Sequence, residues 1–204
     1  MGHKVVFWSP VPGQTGNTSN LIALAGLLGL EYAACTLLFG HVQSRRATTE
    51  QAFLQQRFDE GALVFAAEYG IDALERLARH RKLSRDMIRN YTFPLLQDRL
   101  DLLPGSDKKD KAFIAAMKDS LQPILETAER YYDLILIDGG SGLGSGWTQQ
   151  LLQQAELVVV SLNQNRLVQE RFFHQQIGQL PAVKQLLVLG QYDRFSHRSA
   201  KNTA

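Results

Sequence analysis

Directly after the apolar run Val5-Val6-Phe7-Trp8, the chain reads SPVPGQTGNTSN from Ser9 to Asn20. Glycines behind a strand let backbone N–H groups turn toward an anion, and the start of a following helix adds its dipole, so this spacing suits phosphate. A phosphate-binding loop also brings a lysine to the β- and γ-phosphates and a Ser or Thr hydroxyl to Mg²⁺. Here Gly13 and Gly16 supply the turn around Gln14 and Thr15, Thr18 and Ser19 supply hydroxyls, and Asn17 stands where the lysine belongs. Glycines at this spacing also make ordinary turns, so the loop alone leaves both readings open.

A second segment, Tyr132 to Gly140 (YDLILIDGG), is four apolar residues closed by Asp138. A carboxylate at the end of a strand beside the first strand's loop can hold Mg²⁺ directly or through a water, so Thr18 and Asp138 form the candidate metal pair. The same residues are compatible with a strand-terminating Asp-Gly turn. Gly139, Gly140 and Gly142 make either a loop that moves with ligand state or a fixed turn. His41, after the second apolar run, has no carboxylate partner in the sequence and reads as structural rather than as a base.

Elements that would position these residues can be read from apolar runs. Candidate strands are 4–8, 33–39, 100–103, 134–137, 157–162 and 185–189, and candidate helices are 19–28, 71–80, 84–90, 111–131, 147–154 and 167–176. Strands alternating with helices predict βαβ units, hence an α/β three-layer sandwich around a mostly parallel sheet. At 204 residues with 45% hydrophobic content and no Pro/Gly/Ser-rich linker, one domain over 1–204 is the economical reading, with a loosely ordered tail from Arg194.

A net charge of +2 gives no bulk argument for nucleic acid, and the single Cys35 excludes an internal disulfide and fits a reducing compartment. The apolar stretch Leu21 to Gly40 contains Glu31 and parses as a helix and a strand, so no membrane span is predicted; with no signal-peptide pattern, the cytoplasm is the expected location. Charge concentrates in Arg76 to Arg89 (RLARHRKLSRDMIR), which is either a solvated helical face backed by Leu77, Leu83 and Ile88, a nonspecific DNA contact, or a surface for an acidic partner.

Taken in order, FWSPVPGQTGNTSNLIALA, YYDLILIDGGSGLG, AELVVVSLNQNRLVQE and KQLLVLGQYDRFS resemble the ParA/MinD-type P-loop ATPases with a deviant Walker A motif, and within them the CpaE/TadZ-like and partitioning-like members. That family's loop reads K-G-G-x-G-K-T-T. Gly13, Gly16, Thr18 and Ser19 match it, while its signature lysine falls at Pro12 and its P-loop lysine at Asn17. The Asp that follows the second strand in relatives is also missing, since Gly40-His41 stands there, and Gln191 takes the place of an adenine-reading Asn.

What the resemblance implies is a nucleotide-binding or pseudo-ATPase protein that positions, partitions or assembles cellular machinery. It implies a homodimer, ATP or ADP with Mg²⁺ as ligand, and a protein partner from a partitioning, pilus or secretion system. The rivals are a weak ATPase that still cycles and a DNA-binding module using Arg76 to Arg89. Each charged hydrogen bond contributes roughly 1.5–3 kcal/mol, so one lost lysine weakens triphosphate binding by about one to two decades. Hydrolysis suffers more, because charge on the transferring phosphoryl group needs preorganised cations.

Overall fold

Val5 to Trp8, Leu37 to Phe39, Ile135 to Ile137 and Val158 to Val160 are buried without alternation. Continuous apolar runs of this kind belong to strands covered on both faces. In the computed structural model, which describes residues 2–40, 48–54, 69–106, 108 and 111–197, they form the centre of one seven-stranded sheet.

The strands are β1 (His3–Ser9), β2 (Thr36–Phe39), β3 (Phe93–Leu96), β4 (Leu100–Leu103), β5 (Leu134–Ser141), β6 (Leu157–Leu162) and β7 (Lys184–Leu189). The helices are α1 (Asn17–Glu31), α2 (Thr48–Leu54), α3 (Ile71–Arg79), α4 (Lys111–Glu129), α5 (Gly146–Gln154) and α6 (Arg166–Arg171). Sheet order is β3-β4-β2-β5-β1-β6-β7, with every neighbouring pair parallel except β3 and β4. Val6, Trp8, Leu37, Phe39, Ile135, Ile137, Val158 and Val160 face one core together with residues of α3 to α6. Val5, Phe7, Leu38, Leu136 and Val159 face the other, against Leu21 and Ala25 of α1. The three-layer α/β architecture read from the sequence is therefore present.

Several boundaries differ from the sequence reading, each for a physical reason. Gly29 does not end α1: a Cβ there would lie 2.9 Å from Leu96 Cδ1 and 3.2 Å from Leu100 Cβ, so the glycine lets the helix approach the sheet and continue to Glu31. The second strand starts at Thr36, not residue 33. Residues 167–176 are not one α-helix, since α6 gives way to a π-helical turn over Phe172–Gln176 and a 3-10 turn over Ile177–Gln179. The edge strand β3 and the helix α2 have no counterpart in the sequence reading.

At the sheet's lower end, away from the glycine loops, Tyr132 donates its hydroxyl to Asp101 Oδ2 at 2.8 Å. Burial pushes Asp101 above the usual carboxylate range and raises Tyr132 as well. Cys35 is half-buried rather than fully buried, and burial, with the nearby Asp101 carboxylate, pushes its thiol up to about 11.

The basic stretch is not a single helical face. α3 stops at Arg79, Arg81 adopts φ 54 in the turn, and Arg85–Tyr91 is a 3-10 helix. Within it Arg79 Nε lies 3.5 Å from Glu75 Oε1 and Arg89 donates to Asp98 Oδ1 at 2.6 Å, so part of the charge is already met. Ile88 is buried and Leu83 packs against the core, while Leu77 is only half-buried.

Candidate functional site

In parallel sheets, ligands bind at the carboxyl ends of the strands, where the loops converge. β1 is central, and the loops after β1, β5, β6 and β7 meet at that end. Gly13 and Gly16 both have φ +70, a conformation that side chains disfavour, and a Cβ built at either meets nothing within 4 Å. The backbone is thus turned, with open space beside both glycines. α1 begins at Asn17 with no side-chain cap and no acidic residue in its first turn, which leaves its first N–H groups and its dipole available to an anion.

Behind this loop the candidate metal pair is assembled. Thr18 Oγ1 donates to Asp138 Oδ2 at 2.8 Å, and Gly140 N donates to Asp138 Oδ1 at 3.0 Å. Asp138 is only 2% exposed. A hydroxyl and a carboxylate in contact fit Mg²⁺, which takes one or two protein oxygens and completes its shell with water and phosphate. Among the described residues no group of three or more His, Cys, Asp or Glu could hold a metal.

Asn17 turns inward. Its Nδ2 donates to Phe7 O at 3.1 Å and to Asp138 Oδ1 at 3.4 Å, anchoring the side chain to the floor formed by β1 and β5. The residues present therefore fit a nucleotide's phosphates through backbone N–H groups and fit Mg²⁺ through Thr18 and Asp138. When bound, Mg²⁺ would supply the positive charge that offsets the phosphate oxygens. Asn17 supplies none.

Other sequence-predicted residues are more peripheral. Thr15 is buried and Ser19 lies on the exposed side of α1. Gln191 is exposed at φ 50, directly after Gly190, whose built Cβ would meet Thr15 O at 2.8 Å; the glycine lets the loop after β7 touch the P-loop backbone. His41 lies outside the described residues. At the end of β2, a Cβ on Gly40 would lie 2.8 Å from Glu50 Oε1, and that oxygen accepts from Gly105 N at 2.8 Å. A carboxylate delivered by α2 thus fills the space beside β2 where the resemblance places an Asp.

Three contacts were not read from the sequence. Asn163 Nδ2 donates to Gln14 O at 2.8 Å, bracing the P-loop from the loop after β6. Gln164 and Asp193 exchange two hydrogen bonds, of 2.8 and 2.5 Å, that join the loops after β6 and β7. Trp8 Nε1 donates to Gly142 O at 2.8 Å while Gly142 N donates to Ser9 O at 2.9 Å, so the glycine-rich loop after β5 is fastened to β1. The run Asn163-Gln164-Asn165 at the end of a parallel strand was the available signal for the first two.

No family model matches the sequence, and no curated protein matches it. Solved structures do match the fold. The chain superposes with a TM-score of 0.75 on a ParA family ATPase from Chlorobium tepidum, at 13% identity, covering 100% of this chain and 80% of the other. The fold is that of the ParA/MinD-type P-loop ATPases. MinD, the septum site-determining protein of Pyrococcus horikoshii, complexed with Mg-ADP, matches at a TM-score of 0.70 and 16% identity, over 100% of this chain and 76% of that one. A plasmid partition protein of Borrelia burgdorferi bound to AMPPNP matches at 0.65 and 17%, over 95% and 78%. Among the described residues no helix is long and apolar enough to cross a membrane.

Proposed function

We propose that this chain is a ParA/MinD-like positioning or assembly protein whose site binds Mg²⁺-nucleotide without hydrolysing it efficiently. One observation carries the reading: Asn17, at the lysine position, is tied to Phe7 O and Asp138, while the left-handed Gly13 and Gly16 and the contact of Thr18 with Asp138 support a phosphate and metal site. Backbone N–H groups and the α1 dipole support binding. Loss of the loop cation, with Pro12 at the signature-lysine position, removes the charge that turnover requires. The protein then acts in the cytoplasm as a homodimer whose partner reads the occupied state, in the manner of the partition and septum-site proteins that share its fold.

Calorimetric titration with ATP·Mg²⁺ and with ADP, run beside a phosphate-release assay, tests this. Saturable binding with turnover at background level is expected. Sustained turnover at ordinary protein concentrations defeats the non-hydrolysing part, and absence of any binding defeats the whole.

A further inference from the structure

The end of α3 and the turn after it carry more positive charge than the helix uses. Basic side chains in a last turn offset the negative end of the helix dipole, which accounts for Arg76 and Arg79. Arg81, Lys82 and Arg85 lie beyond the helix end. All three are exposed, and among the described residues no carboxylate engages them. Arg81 is also held against its backbone preference. Arg81 N donates to Ala78 O at 2.9 Å and Lys82 N to Leu77 O at 2.8 Å, closing the helix with Arg81 at φ 54, in the left-handed cap position that glycine or asparagine ordinarily fills. An arginine there costs local stability, and no ion pair among the described residues offsets that cost.

Number, residue type and sequence context decide which anion suits such a turn. Nonspecific duplex binding draws on roughly six to ten phosphate contacts spread along the double helix. Three uncommitted cations in one turn fall short of that, and a net charge of +2 adds little attraction at a distance. From Arg76 to Arg89 there is no aromatic residue on which an unpaired base could stack. A carboxylate-rich segment needs only two or three partners. Arg81 and Arg85 each offer a planar fork that takes a carboxylate through two parallel hydrogen bonds, and Lys82 adds a point charge between them. Neighbouring arginines already hold carboxylates in this way of pairing, Arg79 with Glu75 at 3.5 Å and Arg89 with Asp98 at 2.6 Å. We infer that the turn carrying Arg81, Lys82 and Arg85 is a docking surface for a carboxylate-rich segment of a partner protein. None of these residues belongs to the candidate nucleotide site, so the inference stands apart from the nucleotide reading.

Fluorescence anisotropy of a labelled polyglutamate peptide, run on the full chain beside a labelled mixed-sequence DNA duplex, tests the surface. Saturable binding of the peptide is expected, tightest at low salt and tighter than binding of the duplex. Arg81→Gly is the decisive variant. Glycine suits φ 54, so this variant should melt no lower than the unaltered chain. It should nevertheless bind the peptide about three- to fivefold more weakly, the share of one exposed charge pair. Arg81→Glu combined with Lys82→Glu and Arg85→Glu should abolish peptide binding and leave the circular dichroism spectrum unchanged. Where that triple variant does not fold, Arg81→Gly decides alone. No binding of polyglutamate at low salt, or undiminished binding by Arg81→Gly, overturns the docking surface. Duplex binding tighter than peptide binding, and lost in the triple variant, overturns the carboxylate-rich partner in favour of nucleic acid. A lower melting temperature in Arg81→Gly would show that Arg81 serves the fold and overturn the inference.

Discussion

Replacing Asp138 separates its packing role from the metal role proposed for it. The carboxylate accepts from Thr18 Oγ1 at 2.8 Å, Gly140 N at 3.0 Å and Asn17 Nδ2 at 3.4 Å, and the residue is 2% exposed. Asp138→Ala strands Gly140 N and Thr18 Oγ1, while Asn17 keeps Phe7 O. An unsatisfied buried donor costs about 1–3 kcal/mol. Thr18 is only partly buried and its hydroxyl can rotate, which places the total at roughly 2–4 kcal/mol. For a chain of this length, 1 kcal/mol shifts Tm by about 2–4 °C, so the alanine variant should melt roughly 4–16 °C lower. Asp138→Asn retains an acceptor for Gly140 and Asn17 and offers Thr18 Oγ1 an N–H, so its loss should stay under about 1 kcal/mol. The asparagine variant should nevertheless lose the extra stabilisation that Mg²⁺ gives to a bound nucleotide, because the anionic oxygen is gone. Thermal unfolding of both variants, each with ADP and with or without Mg²⁺, provides the measurement. Equal Tm for the two variants, or full Mg²⁺ response in Asp138→Asn, would refute the reasoning.

Three further outcomes follow from described contacts. Asn17→Lys should tighten ATP·Mg²⁺ binding about ten- to a hundredfold by calorimetry, and unchanged affinity would show that the loop does not face phosphate. Cys35, with its thiol pushed up to about 11, should react with maleimide far more slowly at pH 8 than a free thiol does, with the rate still climbing above pH 10; a rate that levels off near pH 9 would contradict its burial. A hydrogen bond from His3, then the charge of Lys4, holds Glu156 below the usual carboxylate range. Since the folded value is depressed, its contribution is present above the ordinary carboxylate pKa and lost as pH falls through the lower folded one. With the side chain 47% exposed, this amounts to under about 1 kcal/mol. His3→Ala should lower stability by that small amount in urea titrations at pH 7, and the difference from the unaltered chain should vanish as pH falls below the carboxylate range; a difference that grows toward acid would contradict the assignment.

The sheet and the cradle were legible because their signals are local. Unbroken apolar runs such as Val158 to Val160 mark strands covered on both faces, and Gly13, Gly16, Thr18 and Asp138 lie at fixed offsets from two of those runs. What escaped was set by tertiary contact. β3 contains Pro94 and exists because it pairs antiparallel with β4 at the sheet edge, a setting where a strand tolerates proline. Gly29 looked like a helix stop because glycine often is one; only the approach of Leu96 and Leu100 shows that it is a contact residue. The inward turn of Asn17 required knowing that Phe7 O and Asp138 lie beneath it, which one sequence cannot say.

β5 does not end at its aspartate. It runs on to Ser141, paired with Ser9 of β1, and Gly142 is then held at both its N–H and its carbonyl. Gly139 permits this, since a Cβ there would lie 2.6 Å from Val6 Cγ1. In P-loop proteins the stretch behind this aspartate is the part that refolds between ligand states. Here that stretch continues the sheet, so any movement of it must break the pairing with β1 that holds Ser141 and Gly142.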